Sequence, residues 1–286
     1  MHMPSATTNL AQSTPLYRMS KTVNRFCAME ESLDPLDCPT GLDLTTGVLP
    51  KPFQGRIVNG DNAQLGEIPY QVSLQIPYSS FHFCGGAILN NNYVITAAHC
   101  VEERSPSDVK VVSATVDLRN PQSIHEVIKV IVHERYNSMD SWRNDIALLK
   151  VKDVFIESAV VSFVPLPSPN QEVPSNSVAV VSGWGRLTEG GNTPTILQKT
   201  TIVIADQDYC EQKYGWHNLN IYESHICAYD PIEESGSCHG DSGGPLTVDG
   251  KLTGVVSWAL GCASTEYPTV YTRVSEYIYW INANAL

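Results

Sequence analysis

From residue 57 onward, short apolar runs rich in Val, Ile and Tyr are separated by Gly, Pro and Asn, as in YQVSLQI, DIALLKV and LTGVVSW. Repeated runs of this length with turn residues between them are typical of a β-sandwich or a β-barrel. Only the tail has helical spacing, which places on one face Val274, Tyr277, Ile278 and Ile281. The pattern therefore predicts an all-β domain that ends in one α-helix at about residues 274–284.

The first 56 residues do not show this pattern. Pro, Ser, Thr, Asp and Asn dominate there without a sustained hydrophobic period, which predicts a flexible leader. The formal net charge of −12 lies entirely from Ile57 onward, because the basic and acidic residues before it cancel. Without a basic patch, nucleic acid is not an expected partner. No apolar run reaches the roughly 20 residues of a membrane helix, so a membrane partner is not expected either.

Eight cysteines are spread widely along the chain, and no Cys-x-x-Cys pair occurs among them. This spacing argues against a zinc ribbon or a thioredoxin-like redox site and favours disulfides formed in an oxidising compartment. The first residues nevertheless lack the apolar segment of a secretory signal. We therefore expect a secreted, extracellular protein whose true first exon is missing from this sequence; unconventional export is the alternative.

The stretch ESGSCHGDSGGPL, residues 234–246, places Ser242 among glycines, where the backbone can turn sharply and present successive N–H groups on one side. The N–H groups of Gly240 and Ser242 would then face the oxyanion that develops when a hydroxyl attacks a carbonyl. His99, in VITAAHCV, is the candidate base. Asp145, in RNDIALLKV, is the candidate orienting carboxylate, because an acid ahead of an apolar strand is costly to bury without a partner.

Several motifs in the chain resemble those of the chymotrypsin-type (trypsin-like) serine endopeptidases: RIVNG, CGGAIL, TAAHC, NDIALLK, SGWG, CHGDSGGPL, GVVSW and PTVYTRV. The resemblance covers residues 57–286. It implies two six-stranded antiparallel β-barrels with the site between them, the first at about residues 57–165 and the second at about residues 176–270.

The resemblance also assigns the three candidate residues their roles. His99 would be general base and then acid, Asp145 would hold its tautomer, and Ser242 would be the nucleophile. A catalytically silent homologue that acts as a binding protein is the alternative. Peptide hydrolysis that is lost in Ser242→Ala would distinguish an active enzyme from such a homologue. A lipase or esterase is disfavoured, because those enzymes follow the order Ser, Asp, His within an α/β pattern.

Six of the cysteines fall at family positions, and the resemblance implies the pairs Cys84–Cys100, Cys210–Cys227 and Cys238–Cys262. The Cys84–Cys100 disulfide would fix the loop that carries His99. The Cys238–Cys262 disulfide would connect the Ser242 loop to the opposite wall of the pocket. Cys27 and Cys38 remain in the leader, and our hypothesis is that they bridge to each other.

The sequence FQGRIVNG places Arg56 immediately before Ile57. In the family, cleavage at this bond frees an amino group that pairs with the acid beside the nucleophile, here Asp241. A buried carboxylate needs a cation, and supplying one can order the neighbouring loop. We therefore interpret residues 1–56 as a propeptide and the protein as a zymogen.

Alignment with the family places Gly236 at the floor of the primary specificity pocket, with Ala259 and Thr269 on its walls. Neither Gly236 nor Thr269 supplies an acid to pair with Lys or Arg, so trypsin-like cleavage is disfavoured. The stretch PTVYTRVSEYI resembles pancreatic elastases, but elastases have a bulkier residue at the position of Ala259, so the pocket here should be wider. We expect a preference for small to medium apolar residues such as Ala, Val, Leu or Met, with a chymotrypsin-like aromatic preference as the alternative.

The segment Ser257-Trp258-Ala259 should form an extended edge that pairs with the substrate backbone. Trp142 would wall the neighbouring subsite or be an exposed structural residue. The histidines do not cluster at metal spacing, so we expect no metal and no cofactor. Expected partners of this monomer are protein or peptide substrates, a trypsin-like activating protease and protease inhibitors, in a digestive or other extracellular setting.

Overall fold

The computed structural model describes residues 57–285. The predictions that concern the leader, Cys27, Cys38 and Arg56 therefore lie outside the described residues. Within the described part of the chain, the strands form two closed antiparallel β-barrels, and two short helices accompany the second barrel and the chain end. This confirms the predicted fold class.

The first barrel closes in the strand order β2-β3-β4-β7-β6-β5. Its strands are β2 (Gln71–Gln75), β3 (His82–Ile88), β4 (Tyr93–Thr96), β5 (Lys110–Ser113), β6 (Ser123–Val132) and β7 (Ala147–Val151). Strands β2 and β4 are buried along their whole length, whereas most positions of β6 are exposed or half-buried. Leu74, Ile95 and Leu148 have no exposed surface and belong to the core of this barrel.

The second barrel closes in the order β8-β9-β10-β13-β12-β11, and β11 pairs back to β8. Its strands are β8 (Val178–Gly183), β9 (Gln198–Ile204), β10 (His225–Tyr229), β11 (Pro245–Val248), β12 (Lys251–Trp258) and β13 (Thr269–Arg273). The two-residue strand β1 (Asp61–Asn62) adds to the outside of β9. Because both barrels are closed by hydrogen bonds, the loops between strands are held at defined positions.

The helix prediction was incomplete. An α-helix, α1 (Gln207–Gly215), begins after Asp206, whose side chain accepts a hydrogen bond from the N–H of Tyr209 at 2.9 Å. Its buried side chains are only Cys210 and Tyr214, so no apolar stripe announces it in the sequence. The Asp206 N-cap was the available signal.

The tail forms the predicted helix in two parts. A single 3₁₀ turn (Val274–Tyr277) precedes α2 (Ile278–Asn284). Ile278 and Ile281 pack on the core of the first barrel, which explains their helical spacing. Among the helices of the described residues, none is long and apolar enough to span a membrane.

Three disulfides join the described cysteines in the pairs that the resemblance implied: Cys84–Cys100, Cys210–Cys227 and Cys238–Cys262. The first links β3 to the turn after β4, the second links α1 to β10, and the third links the two loops on either side of β11 and β12. Each bridge lies within one barrel and limits the freedom of its loops.

Candidate active site

The pairing of β4 with β7 brings His99 and Asp145 together. Thr96, the last residue of β4, pairs with Ala147 at the start of β7. His99 follows in the 3₁₀ turn after β4, and Asp145 precedes β7, so the two residues meet at the same end of the barrel. His99 Nδ1 lies 2.7 Å from Asp145 Oδ2, and the backbone N–H of His99 donates to Oδ1 at 2.9 Å.

Asp145 is completely buried and its carboxylate is well supplied with donors. Besides the two donors of His99, the hydroxyl of Ser257 donates to Oδ2 at 2.5 Å. The Thr272 hydroxyl donates to the Asp145 carbonyl oxygen at 2.7 Å, which fixes the backbone beneath it. Sequence reasoning assigned Ser257 only to the substrate-binding edge and missed its contact with Asp145.

Two opposing effects act on His99. Burial by itself lowers the pKa of the imidazole, but the negative charge of Asp145 and its hydrogen bond raise it, and the net pKa lies above the ordinary value. The hydrogen bond from Nδ1 leaves Nε2 as the nitrogen that can accept a proton. This arrangement suits a base that takes up a proton and holds it next to a carboxylate.

The loop that connects β10 to β11 carries Ser242. Gly240 has a φ of 99°, a conformation that side-chain-bearing residues rarely adopt. Among the residues that the structure describes, the N–H groups of Gly240 and Ser242 donate no hydrogen bond, whereas those of Asp241 and Gly243 donate to Cys238 and Val256. Two unpaired N–H groups beside a serine hydroxyl are what an oxyanion site requires.

His82 supports this loop and was not recognised from the sequence. Its Nε2 donates to the carbonyl oxygen of Gly240 at 2.9 Å, and its Nδ1 accepts from the Ser73 hydroxyl at 2.7 Å. Burial lowers the pKa of His82 to about 4, so this imidazole is neutral at neutral pH. The contact fixes the peptide that precedes Asp241.

Ser242 and His99 line one cavity of about 260 Å³. Its other lining residues are Trp142, Ser237, Cys238, His239, Val256, Ser257, Trp258, Ala259, Gly261, Cys262 and Thr269. No hydrogen bond joins Ser242 to His99 within the described part of the chain; such contacts often tighten only when substrate binds.

The structure brings four of the five predicted substrate-binding residues to this cavity: Ser257, Trp258, Ala259 and Thr269. Gly236 is not among the lining residues. Its backbone pairs with Val58, and a Cβ at this position would meet Ala263. Ser237, which sequence reasoning did not single out, lines the cavity instead and donates to the Thr269 hydroxyl at 3.2 Å.

Asp241 is the second buried carboxylate near the site. It has no exposed surface and accepts two backbone hydrogen bonds, from Gly185 at 2.8 Å and Cys238 at 2.9 Å. Burial raises the pKa of Asp241 to about 7, and these two hydrogen bonds only partly oppose the effect. No cation lies within ion-pair distance of it among residues 57–285.

Ile57 is fully buried, and Val58 forms an isolated antiparallel bridge with Gly236. The first described residues are therefore seated against the segment that leads to the Ser242 loop.

The sulfur and nitrogen atoms of Cys84, His99 and Cys100 lie close enough to suggest metal ligands. Because the two sulfurs form a disulfide, they cannot bind a metal as thiolates.

A serine, a histidine and a buried carboxylate at a cleft between two antiparallel barrels are the arrangement of a serine peptidase. The family model described as Trypsin matches residues 57–281, and the chain belongs to this family. It is a serine endopeptidase, and its substrates are proteins.

Relatives share long stretches of this chain. It is 41% identical to Trypsin-1 of Astacus astacus over 242 residues, which cover 80% of this chain and 100% of that protein. It is 38% identical to Trypsin Blo t 3 of Blomia tropicalis, over 82% of this chain and 87% of that protein. It is 35% identical to a vitellin-degrading protease of Bombyx mori, over 87% and 93% of the two chains.

Proposed function

We propose that this protein is a secreted endopeptidase, made as a zymogen, that cleaves after small to medium apolar residues by a Ser-His-Asp mechanism. The observation that carries the proposal is a single cavity that joins His99, bonded to buried Asp145, with Ser242 and a pocket lined without any acid. The three disulfides and the kinship to trypsin-named proteins favour an extracellular and digestive setting.

The proposed acylation step involves Ser242, His99 and the substrate carbonyl. Ser242 Oγ attacks the substrate carbonyl carbon while its proton moves to His99 Nε2, and the carbonyl oxygen becomes an oxyanion. The N–H groups of Gly240 and Ser242 stabilise this oxyanion, and Asp145 stabilises the imidazolium. When the tetrahedral species collapses, the C–N bond breaks and the leaving amine takes the proton from His99. The product is an acyl ester on Ser242.

Deacylation repeats these steps with water. His99 Nε2 takes a proton from the water, whose oxygen attacks the ester carbon. Collapse of the second tetrahedral species breaks the bond to Ser242 Oγ, which recovers its proton from His99. The acid product leaves and the enzyme returns to its starting protonation state.

The chemistry of the cavity supports an apolar preference. No Asp or Glu is among its lining residues, so the charge of a substrate Lys or Arg would have no carboxylate partner there. Thr269 and Ala259 add side chains to the walls, which favours side chains smaller than an aromatic ring. Since apolar pockets discriminate by only about 1–3 kcal/mol per methylene, we expect a preference and not an exclusive specificity.

Several relatives carry the name trypsin, and the proposal departs from that name. The departure rests on Gly236, which has no side chain at the position that the family resemblance assigns to the pocket floor, and on Thr269, which offers a neutral side chain. Shared ancestry accounts for the barrels and the cleft, whereas the charge of the pocket depends on these few positions.

Activation is part of the same proposal. Cleavage between Arg56 and Ile57 would create an amino group on Ile57, which is fully buried. Asp241 is the buried acid that would form an ion pair with it. Because the neutral pocket should accept Arg56 poorly, a separate trypsin-like protease would perform this cut. Rapid self-activation of purified zymogen, free of contaminating trypsin, would contradict this step.

The decisive experiment is a cleavage profile on a mixed peptide library. The zymogen is activated with trypsin, the trypsin is removed, and the Ile57 amino terminus is confirmed by sequencing. The matched control is Ser242→Ala carried through the same activation.

Cuts after Ala, Val, Leu or Met that are absent in the control would support the proposal. Cuts mainly after Phe and Tyr would keep the mechanism and overturn the assigned pocket size. Cuts mainly after Lys and Arg would overturn the assigned pocket charge. No Ser242-dependent cleavage despite a confirmed Ile57 terminus would show a silent homologue that acts by binding.

A further inference from the structure

The loop of residues 137–144, between β6 and β7, has a strained backbone. Ser141, Trp142 and Asn144 have φ angles of 50°, 51° and 60°, in the left-handed region that residues with side chains avoid. Two such residues in succession persist only where surrounding contacts impose the conformation, and such strain is often located at functional sites.

A second segment, residues 220–222, supplies those contacts. The backbone N–H of Asn220 donates to the buried Ser141 hydroxyl at 2.9 Å. The Tyr222 hydroxyl donates a short hydrogen bond to Asp140 Oδ1. The guanidinium of Arg143 lies over the Tyr222 ring, 4.5 Å from its centroid. Tyr222 therefore contacts the loop on both sides of the strained pair.

The strained pair determines where Trp142 lies. The indole of Trp142 stacks on that of Trp258, with ring centroids 5.6 Å apart and an angle of 29° between the planes. Both indoles line the cavity of Ser242. The half-buried Trp142 thus forms a wall beside the pocket, and its position depends on the conformation of the loop.

Tyr222 itself is not at the cavity of Ser242. With Asp140, Arg143 and Asn144 it lines a different, polar cavity of about 660 Å³. The loop separates the two cavities, because Trp142 lines one and its neighbours line the other. Any influence of the Tyr222 hydroxyl on the substrate must therefore pass through the loop.

We propose that Tyr222 is a positioning residue: its hydrogen bond to Asp140 holds the 137–144 loop in the strained form that presses Trp142 onto Trp258, and so restricts the second substrate residue before the cleaved bond. This inference rests on the proposed peptidase function. On this proposal, the Tyr222–Asp140 contact, which lies outside the cavity of Ser242, limits the size of the second substrate residue. Without that contact the loop relaxes, Trp142 moves away from Trp258, and the subsite widens.

The test is Tyr222→Phe, which removes the hydroxyl and keeps the ring under Arg143. Tyr279→Phe is the matched control, because Tyr279 is exposed and has no hydrogen bond among the described residues. Activated enzymes are compared on peptides that differ only in the second residue before the cleaved bond, Gly or Leu. We expect the ratio of kcat/KM for Leu over Gly to rise about tenfold in Tyr222→Phe, with the Gly peptide little changed.

An unchanged ratio, or an equal fall for both peptides, would overturn the proposal, because a merely structural residue affects both alike. The near-UV circular dichroism of the stacked indoles gives a second readout in the Ser242→Ala background, where no activity is needed. Its loss in Tyr222→Phe but not in Tyr279→Phe supports the proposal, and its retention contradicts it. Failure of the peptidase function would appear separately, as no hydrolysis of either peptide by the unsubstituted enzyme.

Discussion

Each barrel contributes one fully buried carboxylate to the region of the site, and the two carboxylates differ in their partners. Asp145, beside the first barrel, receives hydrogen bonds from the backbone and ring of His99 and from Ser257. Asp241, in the loop of the second barrel, receives only two backbone hydrogen bonds and has no cationic partner in residues 57–285. Equal burial therefore has different consequences for the two acids.

Asp145 with its donors is a complete part of the site, whereas the loop of Asp241 depends on a further partner. The His99–Asp145 pair is already complete in this structure, because the Asp145 carboxylate accepts hydrogen bonds from His99 and Ser257. The loop of the second barrel contains an acid whose pKa is about 7, so ionisation there is costly until a cation arrives. Under the proposed activation, cleavage before Ile57 would supply that cation to the loop of the second barrel and leave the first barrel unchanged.

The largest expected effect comes from removing the charge of the complete pair. Asp145→Asn places an amide where the carboxylate accepts hydrogen bonds from His99, so the ring is held in the wrong tautomer. In the activated enzyme we expect kcat to fall by about 10⁴-fold, the size of this change in other Ser-His-Asp enzymes. Steady-state kinetics against Ser242→Ala measure it, and a loss below tenfold would show that the pair is not part of the mechanism.

The next effect concerns the conditional acid in the uncut chain. The pKa of Asp241 is about 7 in the folded state and 3.8 as its ordinary value. Between about pH 4 and pH 7 the folded state therefore binds a proton that the unfolded state has lost. Stability from this group is therefore present at low pH and lost as pH rises from about 4 to about 7. The loss is on the order of 4 kcal/mol in the free energy of unfolding.

Urea unfolding from pH 4 to pH 8 tests this, with Arg56→Gln and Ser242→Ala present to keep the chain uncut and inactive. Asp241→Asn removes the titration, so the stability difference between the two proteins should change with pH in this window. A difference that stays constant across the window would show that Asp241 is already compensated.

A smaller effect tests how much the third donor of Asp145 matters. Ser257→Ala leaves Oδ2 bonded only to His99, which makes the carboxylate more basic and raises the pKa of His99 further. The acid limb of the pH profile of kcat/KM should move to higher pH, and kcat/KM at pH 7 should fall about tenfold or less. An acid limb that stays in place would assign Ser257 to substrate binding alone.

The smallest effect concerns selectivity, which we expect to depend on Thr269, the first residue of β13 in the second barrel. Thr269→Gly removes a wall side chain from the pocket without changing the pair of the first barrel. We expect kcat/KM for a Phe peptide relative to an Ala peptide to rise about threefold, while the pH profile is unchanged. If the ratio does not move, Thr269 does not limit the pocket.

The features that the sequence predicted depend on local patterns. Alternating apolar runs indicated the strands, and the glycines around Ser242 indicated a sharp turn, because both properties belong to neighbouring residues. The helix α1 was missed since only Cys210 and Tyr214 face inward. Strand β1, with two residues, is too short to have a pattern at all.

The supporting contacts were not predictable in the same way. The Ser257 hydroxyl reaches Asp145 across 112 positions of sequence, and His82 reaches Gly240 across 158. No local spacing encodes such contacts, because they form only when the two barrels pack against each other. A buried histidine such as His82 could at most have indicated that a carbonyl or hydroxyl partner lies somewhere in the fold.

The short strand β1 has a consequence for how a cut would be sensed. It pairs with β9 a few residues after Ile57, and Val58 is already bridged to Gly236. An amino group created at Ile57 would therefore be a tethered ligand, with an effective concentration of about millimolar or higher at Asp241. A tethered ligand does not dissociate on dilution. Each cleaved molecule would therefore be activated to the same extent at low and at high protein concentration. The amount of active protein would depend on the number of molecules cleaved and not on the protein concentration.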